Sequence, residues 1–148
     1  MLGFNPYLNF AGNTEEAFNF YKSVFGGEFA MVMRFKDTAE AGKVAENEQN
    51  KIMHISLPVG NGTILMGTDV LESMGQHLTV GNNFSISINA GSKEEADDTF
   101  GKLSDGGKIE LPMTDMFWGD YFGMLKDKFD IQWMISYNKN VANLASNK

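Results

Sequence analysis

The chain has 148 residues, of which 43% are hydrophobic and 21% are charged, a composition typical of a globular protein that buries its own core. Its formal net charge is −7. A negative field repels phosphate groups, so we expect neither nucleic acid nor an anionic membrane surface as a partner. The absence of cysteine excludes disulfides and thiolate chemistry and fits a reducing compartment. No apolar stretch approaches a membrane span of roughly 20 residues, and no signal peptide is visible, so we expect a cytoplasmic protein.

Two segments of the chain repeat one helix pattern. Residues 12–17 read Gly-Asn-Thr-Glu-Glu-Ala, and residues 91–96 read Gly-Ser-Lys-Glu-Glu-Ala. Each has an N-cap residue followed three positions later by a glutamate, which predicts a capping box at the start of a helix. Each helix is predicted to end at a glycine pair, because glycine permits left-handed backbone geometry. The predicted boxes are Asn13 with Glu16 and Ser92 with Glu95, and the glycine pairs are Gly26-Gly27 and Gly106-Gly107.

Strand patterns surround both helices. Alternating apolar residues precede each helix. Before the first helix, Phe4, Leu8 and Phe10 are predicted to share one face of a strand, and before the second helix, Phe84, Ile86 and Ile88 are predicted to do the same. Later strands are predicted at 28–35, 52–59, 63–69, 108–113, 119–126 and 131–138, with a hairpin turn at Gly60-Asn61-Gly62. Each half therefore reads β-α-β-β-β. The sequence predicts one α+β domain over 1–148, with module 1 at about 1–69, a linker at about 70–81, module 2 at about 82–138 and a polar tail at 139–148.

A series of motifs spans nearly the whole chain: Tyr7-Leu8-Asn9-Phe10, Gly12-Asn13, Glu16-Ala17-Phe18, Phe25-Gly26-Gly27-Glu28, Lys51-Ile52-Met53-His54, Leu65-Met66-Gly67, Phe117-Trp118-Gly119, Phe122-Gly123-Met124, Asp127-Lys128-Phe129 and Trp133-Met134. This series resembles the PhnB-like branch of the glyoxalase/bleomycin resistance protein/dioxygenase (vicinal oxygen chelate) superfamily. The resemblance implies two βαβββ modules whose curved mixed sheets surround a cleft, in a homodimer. Relatives usually have glycine where this chain has Asp130, so we expect left-handed geometry there at a small cost in stability.

The resemblance also implies where a metal would lie. Metal-dependent relatives place one ligand on the first and one on the last strand of each module. In module 1, the first strand offers Asn5, Tyr7 and Asn9, and the last strand is residues 63–68. In module 2, the first strand offers Asn83, Ser85 and Ser87, and the last strand is residues 131–136. None of these residues is His, Glu, Asp or Cys. We therefore predict no metal and no other cofactor, and neither glyoxalase I nor extradiol dioxygenase chemistry.

His54 is the best candidate for a functional side chain. In strand 52–59, Met53, Ile55 and Leu57 are predicted to face one way, and His54 and Ser56 the other way, toward the implied cleft. A histidine there could act as a general acid or base, or hydrogen-bond a ligand. The alternative is a purely structural histidine. His77, in the predicted linker, is expected to be solvated.

Other candidates come from the aromatic segment 116–122 and from Arg34. The aromatic segment could form the walls of a ligand pocket, or it could simply be core packing. Arg34 could receive an anionic substrate, or form a surface ion pair. The candidate ligand-binding residues are Tyr7, Asn9, Arg34, Ser56, Met66, Trp118, Phe122 and Met134, with His54 as the candidate catalytic residue.

Three functions fit these observations best, and a structural or interaction role is the remaining alternative. The first is a small-molecule-binding protein, which is favoured by the missing metal ligands and by the 12 phenylalanines and 10 methionines. The second is a metal-independent isomerase or lyase that uses His54 as acid or base, with Arg34 or Asn9 orienting the substrate. The third is an enzyme with an unusual metal site at His54. A shared fold does not choose among these functions.

Overall fold

A computed structural model describes residues 1–39 and 41–140 of the chain, and the predicted polar tail from residue 141 onward lies outside them. The chain forms two compact units, the first ending at Thr79 and the second beginning at Val80. This boundary falls inside the predicted linker. No helix within the described ranges is long and apolar enough to cross a membrane.

Each unit is built from four strands and one helix in the order β-α-β-β-β, as predicted. The first unit contains β1 (Tyr7–Phe10), α1 (Thr14–Phe25), β2 (Met31–Arg34), β3 (Ile52–Val59) and β4 (Thr63–Asp69). The second contains β5 (Ile86–Asn89), α2 (Lys93–Ser104), β6 (Lys108–Asp115), β7 (Tyr121–Lys126) and β8 (Gln132–Tyr137).

The two sheets have the same mixed topology. Their strand orders are β1-β4-β3-β2 and β5-β8-β7-β6. In each sheet the first strand runs parallel to the last one, and the remaining pairs are antiparallel. The fold is therefore α+β, as the repeated pattern predicted.

One face of each sheet packs against the helix of its own unit. The predicted helix faces are buried, with Ala17, Phe18 and Tyr21 in α1 and Ala96, Phe100 and Leu103 in α2. Each helix places a phenylalanine over a glycine of the sheet, and a Cβ atom on Gly67 would lie only 2.6 Å from Phe18 Cε1. Burial of one such ring stabilises the fold by roughly 2 kcal/mol. The opposite face of each sheet is not covered by its helix.

The first capping prediction was wrong, and the second was confirmed for its N-cap residue only, because Glu95 Oε1 accepts from the Gly91 backbone N–H at 2.9 Å and not from that of Ser92. Ser92 Oγ accepts a hydrogen bond of 3.0 Å from the Glu95 backbone N–H. Asn13 makes no such bond from its side chain. At the start of α1, Asp69 Oδ1 accepts from the Thr14 backbone N–H at 3.0 Å and from its hydroxyl at 2.6 Å. A carboxylate from β4 thus satisfies the helix end, which local sequence could not reveal.

Two aromatic residues lie outside the strands in which they were predicted. β1 begins at Tyr7 and β5 at Ile86, so Phe4 and Phe84 precede the strands and are exposed. The predicted left-handed residue is confirmed, because Asp130 has a φ of +70° in the turn before β8.

The polar connection between β2 and β3 is folded rather than open. It contains three short 3-10 turns, and its Gln49 Nε2 atom donates to Ala41 O at 2.6 Å and to Val44 O at 2.9 Å. Val44 and Glu48 are buried. The connection therefore contributes to the core of the first unit.

Candidate functional site

The helix-free face of the first sheet gathers most of the predicted site residues of this unit. On β1, Leu8 and Phe10 are buried on the α1 side, so Tyr7 and Asn9 project from the opposite face. The parallel register places Tyr7 beside Met66 and Asn9 beside Thr68. Tyr7, Asn9 and Met66 were predicted, whereas Thr68 was missed, although it lies two residues beyond Met66 on the same face.

Strand β3 adds His54 and Ser56 to this face. Ser56 pairs with Met66, and Ile55 pairs with Gly67, which contacts Phe18 of α1. His54 and Ser56 therefore lie on the side away from α1, as predicted.

The placement of Met53 corrects the sequence prediction. It was expected to share the buried face with Ile55 and Leu57, but it lines a cavity together with Asn9 and Thr68. The reason is a register shift: Met33 pairs with His54, but Arg34 pairs with Ile52. A β-bulge of this kind turns the local side chains to the other face.

Tyr7 and His54 are in direct contact across this face. The Tyr7 hydroxyl oxygen and His54 Nδ1 are 3.1 Å apart, and the ring centroids are 5.6 Å apart. This is hydrogen-bond distance. Nε2, the other ring nitrogen of His54, takes no part in this contact, and it could bind or protonate a ligand.

A cavity of about 700 Å³ opens beside Asn9 and Thr68, within the first unit, and its lining includes neither Tyr7 nor His54. Its walls combine apolar side chains with neutral polar ones. The lining residues are Asn9, Phe35, Met53, Thr68, Asp69, Val70, Gln76, His77, Leu78 and Thr79. Of the predicted ligand-binding residues, only Asn9 lies in this lining. The predicted linker supplies half of these lining residues. His77 is exposed, as expected for a solvated residue, but it also borders the cavity.

The one carboxylate in this lining is committed to the protein itself. Asp69 is buried and accepts hydrogen bonds from the backbone N–H groups of Gly12 and Ile52 as well as from Thr14. A carboxylate whose oxygens are satisfied in this way holds the scaffold together and is poorly suited to bind a ligand. The remaining polar groups of the cavity are amides, hydroxyls and an imidazole.

Arg34 lies away from this face, in the ion pair that was its alternative prediction. Its guanidinium donates to the carboxylate of Glu15 on α1 and to Asn50 O at 2.9 Å. The hydrogen bond from Arg34 lowers the pKa of the Glu15 carboxyl, and the same contact raises the pKa of Arg34. The structure does not bring Arg34 together with His54.

The helix-free face of the second sheet contains Phe122 and Met134. Phe122 pairs with Ser136, and Met124 pairs with Met134. At the end of β5, Asn89 pairs with Ser136 and accepts a hydrogen bond of 3.0 Å from its hydroxyl. This face is apolar at its centre and neutral polar at its edge.

Trp118 lies outside both sheets, in the connection between β6 and β7. It is 52% exposed and its neighbour Phe117 is 97% exposed. The indole N–H donates to Asp120 at 2.9 Å. The structure therefore places neither aromatic side chain in the core of the second unit.

A second cavity, of about 540 Å³, lies within the second unit. Lys108 and Lys126 face each other directly across β6 and β7 at its edge. The lining residues are Asn82, Lys108, Ile109, Glu110, Met124, Lys126 and Gln132. Its polar groups are thus more strongly charged than those of the cavity in the first unit.

The strand positions that would hold a metal do not suit one. On the helix-free faces, the first and last strands present Tyr7 beside Met66, Asn9 beside Thr68, Ser87 beside Met134 and Asn89 beside Ser136. Neutral hydroxyl, amide and thioether groups are weak ligands for the divalent ions that prefer imidazole and carboxylate. Among residues 1–39 and 41–140, no group of three His, Cys, Asp or Glu side chains could hold a metal ion. The missing metal centre stays a prediction.

The fold and this pair of faces define a class of protein, the glyoxalase/bleomycin resistance fold. An enzyme of the glyoxalase/bleomycin resistance protein/dioxygenase family from Burkholderia phytofirmans covers 88% of this chain and 95% of its own, with a TM-score of 0.59. Its identity is only 17%, so this likeness concerns the fold alone.

Within that class the family is clear. Residues 3–136 match the family described as 3-demethylubiquinone-9 3-methyltransferase. The chain belongs to this family, the PhnB-like branch of the superfamily, as the motifs predicted.

Individual relatives agree with this assignment. Protein PA1353 from Pseudomonas aeruginosa is 36% identical, with a TM-score of 0.83, and the match covers 93% of this chain and 98% of that one. A putative 3-demethylubiquinone-9 3-methyltransferase, PhnB protein, from Bacillus cereus is 27% identical over 92% and 99% of the two chains, with a TM-score of 0.73. Protein YjdN of Escherichia coli is 27% identical over 91% of this chain and 95% of its own.

Proposed function

We propose that this PhnB-like protein binds an uncharged small molecule on the helix-free face of its first unit, without the four-ligand metal centre. The observation that carries the proposal is the cavity of about 700 Å³ beside Asn9 and Thr68. Ligand sites typically occupy roughly 300–1,000 Å³ and combine apolar walls with a few polar groups.

The chemistry of the lining indicates the ligand class. Phe35, Met53, Val70 and Leu78 supply apolar surface, and methionine adapts its shape to varied ligands. Apart from Asp69, the polar groups of the lining are amides, hydroxyls and the imidazole of His77. Among the described residues, no lysine or arginine lines this cavity, and Arg34 is bound to Glu15. A partly apolar, uncharged molecule with hydrogen-bonding groups matches these walls best.

The test is a thermal-shift screen against metabolites and aromatic compounds, with and without added metals. A ligand that binds at this cavity should stabilise the wild type and lose at least about fivefold in affinity in Asn9→Ala, since a buried polar contact contributes about 1–3 kcal/mol. Asn89→Ala is the matched control, because Asn89 occupies the corresponding strand position in the second unit. Equal loss in both variants, or loss only in the control, contradicts the assignment to the first unit.

A metal-independent enzyme is the second candidate, and the contact between Tyr7 and His54 supports it. A histidine held at 3.1 Å from a tyrosine hydroxyl has its other ring nitrogen fixed in one orientation, as proton donation to a bound substrate requires. If a substrate is identified, His54→Gln should lower kcat by about 100-fold or more. Unchanged turnover in that variant rejects this version of the function.

The family's description names a methyltransferase. The sequence contains no glycine-rich nucleotide-binding loop for a methyl donor, so binding without methyl transfer remains our proposal.

We also propose a homodimer in a reducing, cytoplasmic compartment. The resemblance to dimeric relatives supports the dimer, as do Met31 and Val32, which are exposed on the edge strand β2. The absence of cysteine supports the compartment. Light scattering should give twice the chain mass of 16.4 kDa, and a monomer mass across micromolar concentrations contradicts the dimer.

A further inference from the structure

The hydrogen bond between Tyr7 and His54 determines which nitrogen of the histidine carries the proton. A neutral imidazole has one N–H donor and one acceptor nitrogen. The tyrosine hydroxyl lies 3.1 Å from Nδ1, so either the hydroxyl donates to Nδ1, or Nδ1–H donates to the phenolic oxygen. The first arrangement places the ring proton on Nε2, and the second leaves Nε2 bare.

Elementary chemistry favours the first arrangement. A phenol is a good donor with an ordinary pKa near 10, whereas its oxygen is a poor acceptor because one lone pair is delocalised into the ring. The imidazole lone pair is a strong acceptor for the opposite reason, since it lies in the ring plane outside the aromatic system. The bond O–H···Nδ1 is therefore stronger than its reverse, and neutral His54 presents an N–H donor at Nε2.

The strand neighbours of His54 on this face are uncharged. Met33 lies directly opposite it on β2, and Ser56 is the next residue of β3 on the same side, with Met31 and Met66 paired to either side of Ser56. Thioethers are weak acceptors. A donor among thioethers and one hydroxyl suits an apolar molecule that carries an oxygen acceptor.

We propose that Tyr7 is a positioning residue that holds His54 in the Nε2–H tautomer, so that His54 donates a hydrogen bond to the carbonyl-type oxygen of an uncharged, largely apolar ligand. The ligand half of this proposal rests on the proposed binding function. The assignment of the Nε2–H tautomer does not depend on ligand binding. In this tautomer the neutral His54 has no free lone pair at Nε2, which argues against its action as a general base at that atom.

The first experiment measures the tautomer in the ligand-free protein. The chain has only two histidines, so ¹⁵N-histidine labelling gives two imidazole systems, and His77→Gln assigns them. In a mildly alkaline buffer, His54 should show a protonated Nε2 and a bare, hydrogen-bonded Nδ1. Tyr7→Phe should shift the Nδ1 resonance and mix the tautomers. Tyr121→Phe is the control, because that hydroxyl binds Asp97 in the second unit, and it should change neither.

Two results overturn the tautomer half. One is a protonated Nδ1 in the wild type, and the other is a His54 spectrum in Tyr7→Phe that matches the wild type. Because no ligand is present, neither result bears on whether the cavity binds small molecules.

The second experiment compares acetophenone with ethylbenzene by NMR titration. The two probes share one aromatic frame and differ by the carbonyl group. Acetophenone should bind about fivefold more tightly, as expected for one hydrogen bond of about 1 kcal/mol, and it should shift the His54 Nε2–H resonance. His54→Phe should abolish the preference. Equal binding of both probes, binding of neither, or a preference that survives His54→Phe overturns the ligand half, while the screen above tests the proposed function separately.

Discussion

The two units share one scaffold but present different chemistry on their helix-free faces. The registers make Met66 and Met134 equivalent, and with them Asn9 and Asn89, and Thr68 and Ser136. On the neighbouring middle strand, Ser56 in the first unit corresponds to Met124 in the second. His54 corresponds in turn to Phe122.

The comparison shows that topology fixes positions and leaves the chemistry at those positions open. The edge of each face keeps an amide beside a hydroxyl, and the centre differs. A histidine bonded to Tyr7 occupies the centre in the first unit, whereas an apolar phenylalanine occupies it in the second. This difference supports the proposal that the ligand binds in the first unit, although both sheets offer a comparable surface.

The two units also differ in how each uses one buried aspartate. Asp69 joins the start of α1 to β3. Asp127 accepts hydrogen bonds from the backbone N–H groups of Phe129 and Ile131, in the turn before β8. It also accepts a hydrogen bond of 2.8 Å from the Trp133 indole N–H. The first aspartate thus links a helix to the sheet, and the second shapes a hairpin and anchors a core side chain.

The largest expected effect comes from Asp69→Asn. In the wild type, both carboxylate oxygens of Asp69 accept hydrogen bonds from backbone N–H groups. In the variant, the amide NH₂ must face one of these donors, so we expect a loss of about 3 kcal/mol in the free energy of unfolding. Hydrogen exchange at the start of α1 and the start of β3 should accelerate most. Asp98→Asn, at an exposed carboxylate paired with Lys102, is the control and should cost under about 0.5 kcal/mol. Comparable losses in the two variants contradict the role given to Asp69.

The next effect tests how each helix packs on its glycine. Gly67→Ala should destabilise by about 2–3 kcal/mol, because the new Cβ would lie 2.6 Å from Phe18 Cε1 in a fully buried ring. Gly123→Ala should cost about 1–2 kcal/mol, since one of its close contacts is the flexible end of Met113 at 2.6 Å.

Urea unfolding measures both variants. Gly101→Ala on α2, where nothing lies within 4 Å of the new Cβ, is the control and should stabilise by about 0.5–1 kcal/mol. A larger loss for Gly123→Ala than for Gly67→Ala reverses the order we expect.

A smaller effect concerns the turns of two corresponding β-hairpins, β3–β4 and β7–β8. The turn between β3 and β4 uses glycines, with φ of +54° at Gly60 and +84° at Gly62. The turn between β7 and β8 instead places Asp130 at +70°. Asp130→Gly should therefore raise the free energy of unfolding by about 0.5–1 kcal/mol. Thermal melts detect such a gain, and a loss would mean that the Asp130 side chain contributes more than the strain costs.

The smallest effect concerns the ion pair that links β2 to α1. Arg34 lowers the pKa of Glu15 from its ordinary value of 4.5. A lowered pKa in the folded state stabilises the fold above that ordinary value, and the contribution disappears as the pH falls through the folded pKa. Because Glu15 is half exposed, Glu15→Gln should cost only about 0.5 kcal/mol at pH 7. Unfolding midpoints of wild type and variant should converge as the pH falls below the lowered pKa of Glu15, and a difference that stays constant with pH contradicts this linkage.

The sequence by itself determined the repeated β-α-β-β-β order, the hairpin at residues 60–62, the helix-facing residues and the family. The order of elements, the hairpin and the helix-facing residues depend on local periodicity, capping and turn chemistry, which neighbours in sequence control. The family was indicated separately, by the resemblance of the motifs. The same periodicity placed His54 and Ser56 on one face of β3, because side chains alternate along a strand.

Only the tertiary structure decided which residues share a site. Asp69 replaced Asn13 at the start of α1, a bulge moved Met53 to the cavity, and the connection after β4 brought His77 beside Asn9. Each of these contacts joins residues that are far apart in sequence or depends on strand register, so no local pattern encodes it. The contact between Tyr7 and His54 spans 47 positions and is of the same kind.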